Sequence, residues 1–252
     1  MTSPVEWNTR QAPAAAPTSV LDRIISILDA VRSADGPASI TDIAARIGLP
    51  KSTTSRLVTE LTEQRYLERT GCGVQLGLRL FELGARASRP RSLLAAAAPV
   101  MRRLRDTTGE RVGLWVQQGT DMVAIAALPG RLPMLPATPG MHSPALTTAS
   151  GKAYLAFCAD QRVVDRVTAP LVDEAAQHFH EELTRVRSSV IATDLEGAYP
   201  GILAVASPVF ASGRSVVGAI SIAGPSGGMD PERLAPVVRA AGTNVSRRIA
   251  AA

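Results

Sequence analysis

SITDIAARIGLPKSTTSRLVTEL, residues 39–61, holds two helical patterns separated by Gly48-Leu49-Pro50. Ser39 suits the N-cap of a short helix, because its hydroxyl can accept from a backbone N–H that has no partner within the helix. Ile40, Ile43, Ala44 and Ile47 then recur at helical spacing and define a buried stripe. Gly48 supplies the left-handed residue that a sharp helix-to-helix turn requires. Pro50 fits the first turn of the next helix, expected to run to about residue 65, where a missing N–H costs nothing. At about 100° per residue, Thr54, Leu57, Val58 and Leu61 fall on one side of it, which must be buried. Ser52, Arg56, Thr59 and Glu63 point the opposite way, with Lys51 and Thr53 near the exposed start.

The outward surface of those first turns therefore offers small hydroxyls and cations. Hydroxyls and helix N-termini hold phosphates, and an arginine reaches a guanine edge in a major groove. Upstream, Ser19 and Asp22 resemble a capping box ahead of a helical stripe of Val20, Ile24, Ile27, Leu28 and Val31. Downstream, two short extended runs flank Thr70-Gly71-Cys72-Gly73 and read as a hairpin. A hairpin directly after a helix-turn-helix is a wing, with Arg69 at its base positioned to reach a phosphate. Between residues 46 and 91 there are nine cations and four anions, a net +5 that equals the formal charge of the whole chain. Clustered cations displace the counterions condensed on phosphates, so the expected DNA-contacting set is Lys51, Ser52, Thr53, Ser55, Arg56, Thr59 and Arg69. A three-helix domain used for protein contacts is the alternative.

Residues 1–18, rich in Ala, Pro and Thr with no apolar period, are expected to be a disordered arm. Residues 19–76 form the expected winged helix-turn-helix, and 77–92 a linker helix that is apolar over much of its circumference and broken at Arg89-Pro90-Arg91-Ser92. A second copy of so apolar a connector is its natural partner. From 93 to 252 the chain changes character. β-rich runs at 112–117 and 122–128, and again at 202–210 and 215–223, flank turn residues; helices are expected between and after them. Antiparallel strands with segregated helices make an α+β domain.

Composition excludes several classes. With 46% hydrophobic residues among 252 the chain can bury a real core. No apolar run approaches the roughly 20 residues of a membrane span, and no secretion signal opens the sequence. The expected location is the cytoplasm. Cys72 and Cys158 are too few for a disulfide framework or a zinc site, and His142, His178 and His180 make no metal-binding spacing. No catalytic residue, metal or cofactor is expected. Two alternatives remain at this level: an enzyme-like C-terminal domain using Cys158, Lys152, His142 or Asp194, and a redox sensor using Cys72 and Cys158.

Residues 43–53, IAARIGLPKST, resemble the turn and recognition-helix start of the IclR family of bacterial transcriptional regulators. Val74-Gln75-Leu76-Gly77 with Leu83-Gly84, and Thr148-Ala149-Ser150-Gly151-Lys152-Ala153, resemble further family segments. So do Ala206-Ser207-Pro208-Val209-Phe210 and Val217-Gly218-Ala219-Ile220-Ser221. The similarity runs from about residue 19 to 250. It implies a GAF-like effector-binding domain, a small-molecule effector, and homodimers or homotetramers assembled partly through the N-terminal domains. Carried over by position, the ligand pocket comprises Leu132, Leu135, Ala149, Ser150, Asp194, Ala204, Ser221 and Ala223. One carboxylate with backbone donors in a mildly apolar pocket fits a small organic acid or aromatic compound, with sugars and lactones as the alternatives. The chain departs from the family pattern at Gly197, Tyr199-Pro200 and Ser189. A dimer of such a regulator would present two recognition helices about 34 Å apart to a pseudo-palindromic double-stranded operator.

Overall fold

The computed structural model describes residues 19–86, 88–131, 138–212 and 215–251; the expected arm at 1–18 lies outside them. The described residues separate into two compact units between Ser88 and Arg89.

In the N-terminal unit, α1 (Val20–Arg32) begins with the reciprocal cap read from sequence. The Asp22 N–H donates to Ser19 Oγ at 3.0 Å and the Ser19 N–H to Asp22 Oδ2 at 3.1 Å. α2 (Ile40–Ile47) is capped by Ser39, which accepts from the Asp42 N–H, and ends on Gly48 in the left-handed region at φ 68°. α3 (Lys51–Glu63) follows. Pro50 is its N-cap, one position earlier than expected, because its extended ψ of 137° still belongs to the turn. β1 (Leu67–Thr70) and β2 (Gly73–Leu76) pair antiparallel around Gly71-Cys72, and Ala38 adds a bridge to Val74. Ile27, Ile43, Leu57, Val58, Leu67 and Val74 close one core, so both the stripe and the wing converge on it. α4 (Leu78–Gly84) ends the unit.

The C-terminal unit opens with α5 (Ser88–Thr108). The break between α4 and α5 therefore precedes residues 89–92, which instead form the first turn of α5. A proline is tolerated there, since first-turn N–H groups have no intrahelical acceptor. Six strands of the described residues form one antiparallel sheet in the order β5-β4-β3-β8-β7-β6. β3 (Arg111–Gln118) and β4 (Asp121–Leu128) are the first expected hairpin, and β7 (Ile202–Phe210) and β8 (Val216–Pro225) the second. The short edge strands β5 (His142–Pro144) and β6 (Ala192–Leu195) were not anticipated, being too short for a period of two to register. Helices α6 (Ala149–Leu155), α7 (Gln161–Thr168), α8 (Asp173–Ser189) and α9 (Pro231–Ala250) complete the unit.

The two faces of the sheet differ in the size of their side chains. Val112, Leu114, Leu203, Val205, Ile220 and Ile222 pack against α5 and α9 in a fully apolar core. The opposite face carries small residues, among them Gly113, Ala204, Ala206, Ser221 and Ala223, and α6 lies over β6, β7 and β8. Gly151 makes that close approach possible, because a Cβ there would collide with the Ala145 carbonyl.

Candidate functional site

The first candidate surface is α3 with the wing. Thr54, Leu57, Val58 and Leu61 are buried, so Lys51, Ser52, Arg56 and Thr59 are turned out and exposed, with Thr53 and Ser55 half-buried beside them. No side chain caps the start of α3, which leaves its first N–H groups directed outward. The wing is tied to the helix: Arg69 Nη2 donates to Thr59 Oγ1 at 3.1 Å, and Thr59 Oγ1 donates to the Ser55 carbonyl at 3.0 Å. Arg69, Thr59 and Ser55 thus lie in one continuous polar patch. Arg56 approaches Glu60 at 3.9 Å, with both side chains largely in solvent. A helix face whose first two turns carry Lys51, Arg56 and several hydroxyls, flanked by a hairpin that brings in Arg69, is chemistry for a sugar-phosphate backbone with base edges between its strands.

The second candidate lies on the small-residue face of the C-terminal sheet. Strand pairing puts Asp194, Ala204, Ala223 and Arg111 in one row across β6, β7, β8 and β3. The next row carries Ala192, Ala206, Ser221 and Gly113. Ala149 and Ser150, buried in the first turn of α6, stand over this face. Of the pocket residues inferred from resemblance, these six share one region, while Leu132 and Leu135 lie outside the described residues. Asp194 is buried and accepts from the backbone N–H groups of Gly197, at 2.8 Å, and Ala198, at 3.3 Å. Burial raises its carboxyl above the usual carboxylate range, opposed by the Gly197 hydrogen bond and by the charge of Lys152. Lys152 in turn pairs with Glu182 at 2.8 Å. At Gly197 an added Cβ would lie close to Asp194 Oδ1, so a side chain there would require the carboxylate to shift.

Arg111, Trp115 and Ser143 also lie in this region and were missed, and Tyr199, noted from sequence only as a departure from the family pattern, joins them. Arg111, 5% exposed, stacks 5.4 Å from the Trp115 ring. The Trp115 indole folds back over Gly113, and its Nε1 donates to Ser221 Oγ at 2.8 Å. Across the face, Ser143 Oγ and Tyr199 OH share a hydrogen bond of 3.0 Å, so edge strand β5 meets the loop after β6 and the sheet curls around the small-residue rows. Burial lowers the Arg111 guanidinium to about 10, against the opposing charge of Tyr199, so it remains a cation at neutral pH. The available signal was an arginine two residues before a glycine and four before a tryptophan in a β-rich run. Period-two reading places all three on one face.

The groups considered for catalysis have other engagements. His142 Nδ1 lies 3.1 Å from Asp121, Asp194 holds its own loop, and Cys158 Sγ contacts the Asp160 carbonyl. Cys72 is exposed in the wing turn. Among the described residues no group of three His, Cys, Asp or Glu is placed to hold a metal, and no helix is long and apolar enough to cross a membrane.

Residues 20–71 match the family model of the IclR helix-turn-helix domain, and residues 86–247 that of the bacterial transcriptional regulator IclR C-terminal. The chain is 29% identical to the transcriptional repressor IclR of Escherichia coli K12 over 91% of this chain and 90% of that protein. It is 30% identical to the HTH-type transcriptional repressor AllR of the same strain, over 84% of this chain and 82% of that protein. An IclR homolog from Microbacterium hydrocarbonoxydans, crystallised in complex with 4-hydroxybenzoate, superposes with a TM-score of 0.82 at 23% identity, over 93% of this chain and all of that one. The chain is a member of the IclR family of bacterial transcriptional regulators.

Proposed function

We propose that this chain is an effector-responsive, DNA-binding transcriptional regulator that works by binding and not by turnover, in the cytoplasm. The single observation that carries this reading is the outward face of α3, bearing Lys51, Ser52, Arg56 and Thr59, fixed to a wing through Arg69. Residues 19–76 bind DNA, 77–92 connect, and 93–252 bind the effector. Lys51, Ser52, Thr53, Ser55 and Arg69 hold phosphates while Arg56 and Thr59 face base edges. A homodimer, or a tetramer made of two, reads a pseudo-palindromic operator. Leu78, Phe81 and Leu83 on α4, each more than half exposed, supply an apolar surface for the assembly.

The effector occupies the small-residue face between Asp194, Ala204, Ala223 and Ser221, walled by Ala149 and Ser150; the resemblance adds Leu132 and Leu135, outside the described residues, to the residues that bind it. An organic acid or aromatic compound fits such a site, as the 4-hydroxybenzoate complex of the Microbacterium homolog suggests. The effector shifts DNA binding by its different affinity for the two arrangements of the recognition helices. Repression, the mode named for the two enterobacterial relatives, is the sign of regulation proposed for this chain.

The test pairs a thermal-shift screen of metabolites with operator binding by fluorescence anisotropy. A true effector raises the melting temperature by mass action and changes operator affinity reciprocally. Compounds that stabilise the protein without any change in operator affinity, across the whole screen, would refute effector control.

A further inference from the structure

Residues 88–108 and 231–250, which form α5 and α9, hold nine arginines against two carboxylates, a net +7 where the whole chain carries +5. The tertiary structure lays these helices side by side on the large-residue face of the sheet. Leu93, near the start of α5, packs on Gly218 of β8. Gly242, past the middle of α9, packs on Ser207 and Pro208 of β7, whose partners on β8 are Ile220 and Ala219. At the other end, Glu110 just after α5 and Met229 just before α9 both crowd Gly224. The two helices therefore run antiparallel. Arg102 and Arg103 lie toward the end where α9 begins with Arg233, and Arg239, Arg247 and Arg248 continue the row to the opposite end.

Burial of Leu93, Ala97, Met101 and Leu104 on α5, and of Val238, Ala241 and Val245 on α9, leaves all six of these arginines exposed. None of the six enters an ion pair among the described residues. Of the two carboxylates, Asp106 is held by Arg105 at 2.7 Å, and Glu232 lies in the first turn of α9. Arg233 and Arg247 stand fourteen residues apart, about 21 Å along α9. Duplex DNA presents about a dozen phosphate charges over that length. A second copy of this face would set arginine against arginine, so charge opposes self-association through it. A polyanion gains by releasing its condensed counterions onto such a surface.

We propose that the outer faces of α5 and α9 form a second DNA-contacting surface, which holds the phosphate backbone of duplex flanking the operator and does not read its bases. Helices lying flat on a sheet do not project into a groove, so their arginines meet phosphates. The proposal rests on the reading of the N-terminal unit as the part that binds the operator. DNA held there is present at high local concentration for a second contact by the same chain.

The test uses the full-length protein and fluorescence anisotropy over a series of salt concentrations. The probes are a duplex of about 20 base pairs selected by the wild-type protein from a random pool, and the same site centred in about 60 base pairs. The variant carries Arg102→Gln, Arg103→Gln, Arg247→Gln and Arg248→Gln, which keep helix propensity and leave the buried stripes intact. On the long duplex the variant should bind about 10- to 100-fold more weakly than wild type, with a salt slope lower by about 2 to 4, while on the short one the two proteins should agree within about threefold. If the fourfold variant does not fold, Arg102→Gln with Arg103→Gln, and Arg247→Gln with Arg248→Gln, are compared in the same way, each with about half the change in slope. A folded variant that matches wild type on the long duplex overturns the proposal and leaves operator binding standing. So does a variant that loses self-association in sedimentation, or binding to phosphatidylserine vesicles, with DNA binding unchanged, since the face would then serve a second copy or a membrane. Failure of the wild-type protein to select any duplex counts against the operator reading itself.

Discussion

Replacing Arg56 by alanine separates the folding of the N-terminal unit from its reading of DNA. In the free protein Arg56 pairs with Glu60 at 3.9 Å, with side chains 73% and 57% exposed. Solvated i,i+4 pairs contribute about 0.3–0.5 kcal/mol, and alanine regains part of that through helix propensity, so stability should change by less than about 0.5 kcal/mol. On DNA the same side chain projects from the second turn of α3, opposite buried Leu57 and Val58. A bidentate contact to guanine contributes about 1–3 kcal/mol of discrimination, so operator affinity should fall roughly 5- to 150-fold. Binding to random DNA should fall far less. The assay is fluorescence anisotropy on a duplex selected from a random pool by the wild-type protein, beside a scrambled duplex, over a series of salt concentrations. Base readout leaves the salt slope near the wild-type value, whereas loss of one phosphate contact lowers it by about 0.9. Equal losses on both duplexes with a reduced slope would refute base reading by Arg56.

Other perturbations test the remaining features. Phe81, 72% exposed on α4, should weaken self-association when changed to glutamate; losing two buried rings costs at least about 3 kcal/mol per dimer, or roughly 150-fold in dissociation constant by sedimentation. An unchanged constant would remove α4 from the interface. Gly151→Ala forces a methyl group against the Ala145 backbone and should destabilise the C-terminal unit by about 1–3 kcal/mol in calorimetric melting; an unshifted transition would contradict the close approach of α6. Asp194 has its folded pKa raised by burial, so the native state holds its proton more tightly than the unfolded chain does. Its contribution to stability is therefore most favourable at low pH and declines as pH rises from the ordinary carboxylate value through the raised one. Asp194→Asn should flatten that decline in denaturant midpoints across acidic pH, and an identical pH profile in the variant would count against burial as the cause.

Much of the N-terminal unit was legible from residues 39–61 because local rules decide it. Ser39 caps, Gly48 takes the left-handed turn, and the stripe Thr54, Leu57, Val58, Leu61 determines which side of α3 meets solvent. Helix start and stop positions shifted by one or a few residues, at Pro50 and at the start of α5, as helix ends do where no strong cap fixes them. The two central hairpins of the C-terminal unit were equally local, each pairing strands that lie a few residues apart in sequence. Edge strands β5 and β6 were not, since three or four residues carry too little pattern and acquire strand geometry only by pairing with β4 and β7. The same limit applies to the proposed effector site. Sequence and resemblance bring Asp194, Ala204, Ser221 and Ala223 into consideration, but the row that ends at Arg111 exists only through pairing of β3 with β8. Those strands lie about a hundred residues apart, and their register depends on which faces the helices cover. Sequence by itself determined a winged helix-turn-helix joined to an α+β domain, because capping, turn and periodicity rules act within a few residues. Only the tertiary structure decided that a buried arginine, a tryptophan and an aspartate share one curled sheet face, because that depends on pairing between distant strands.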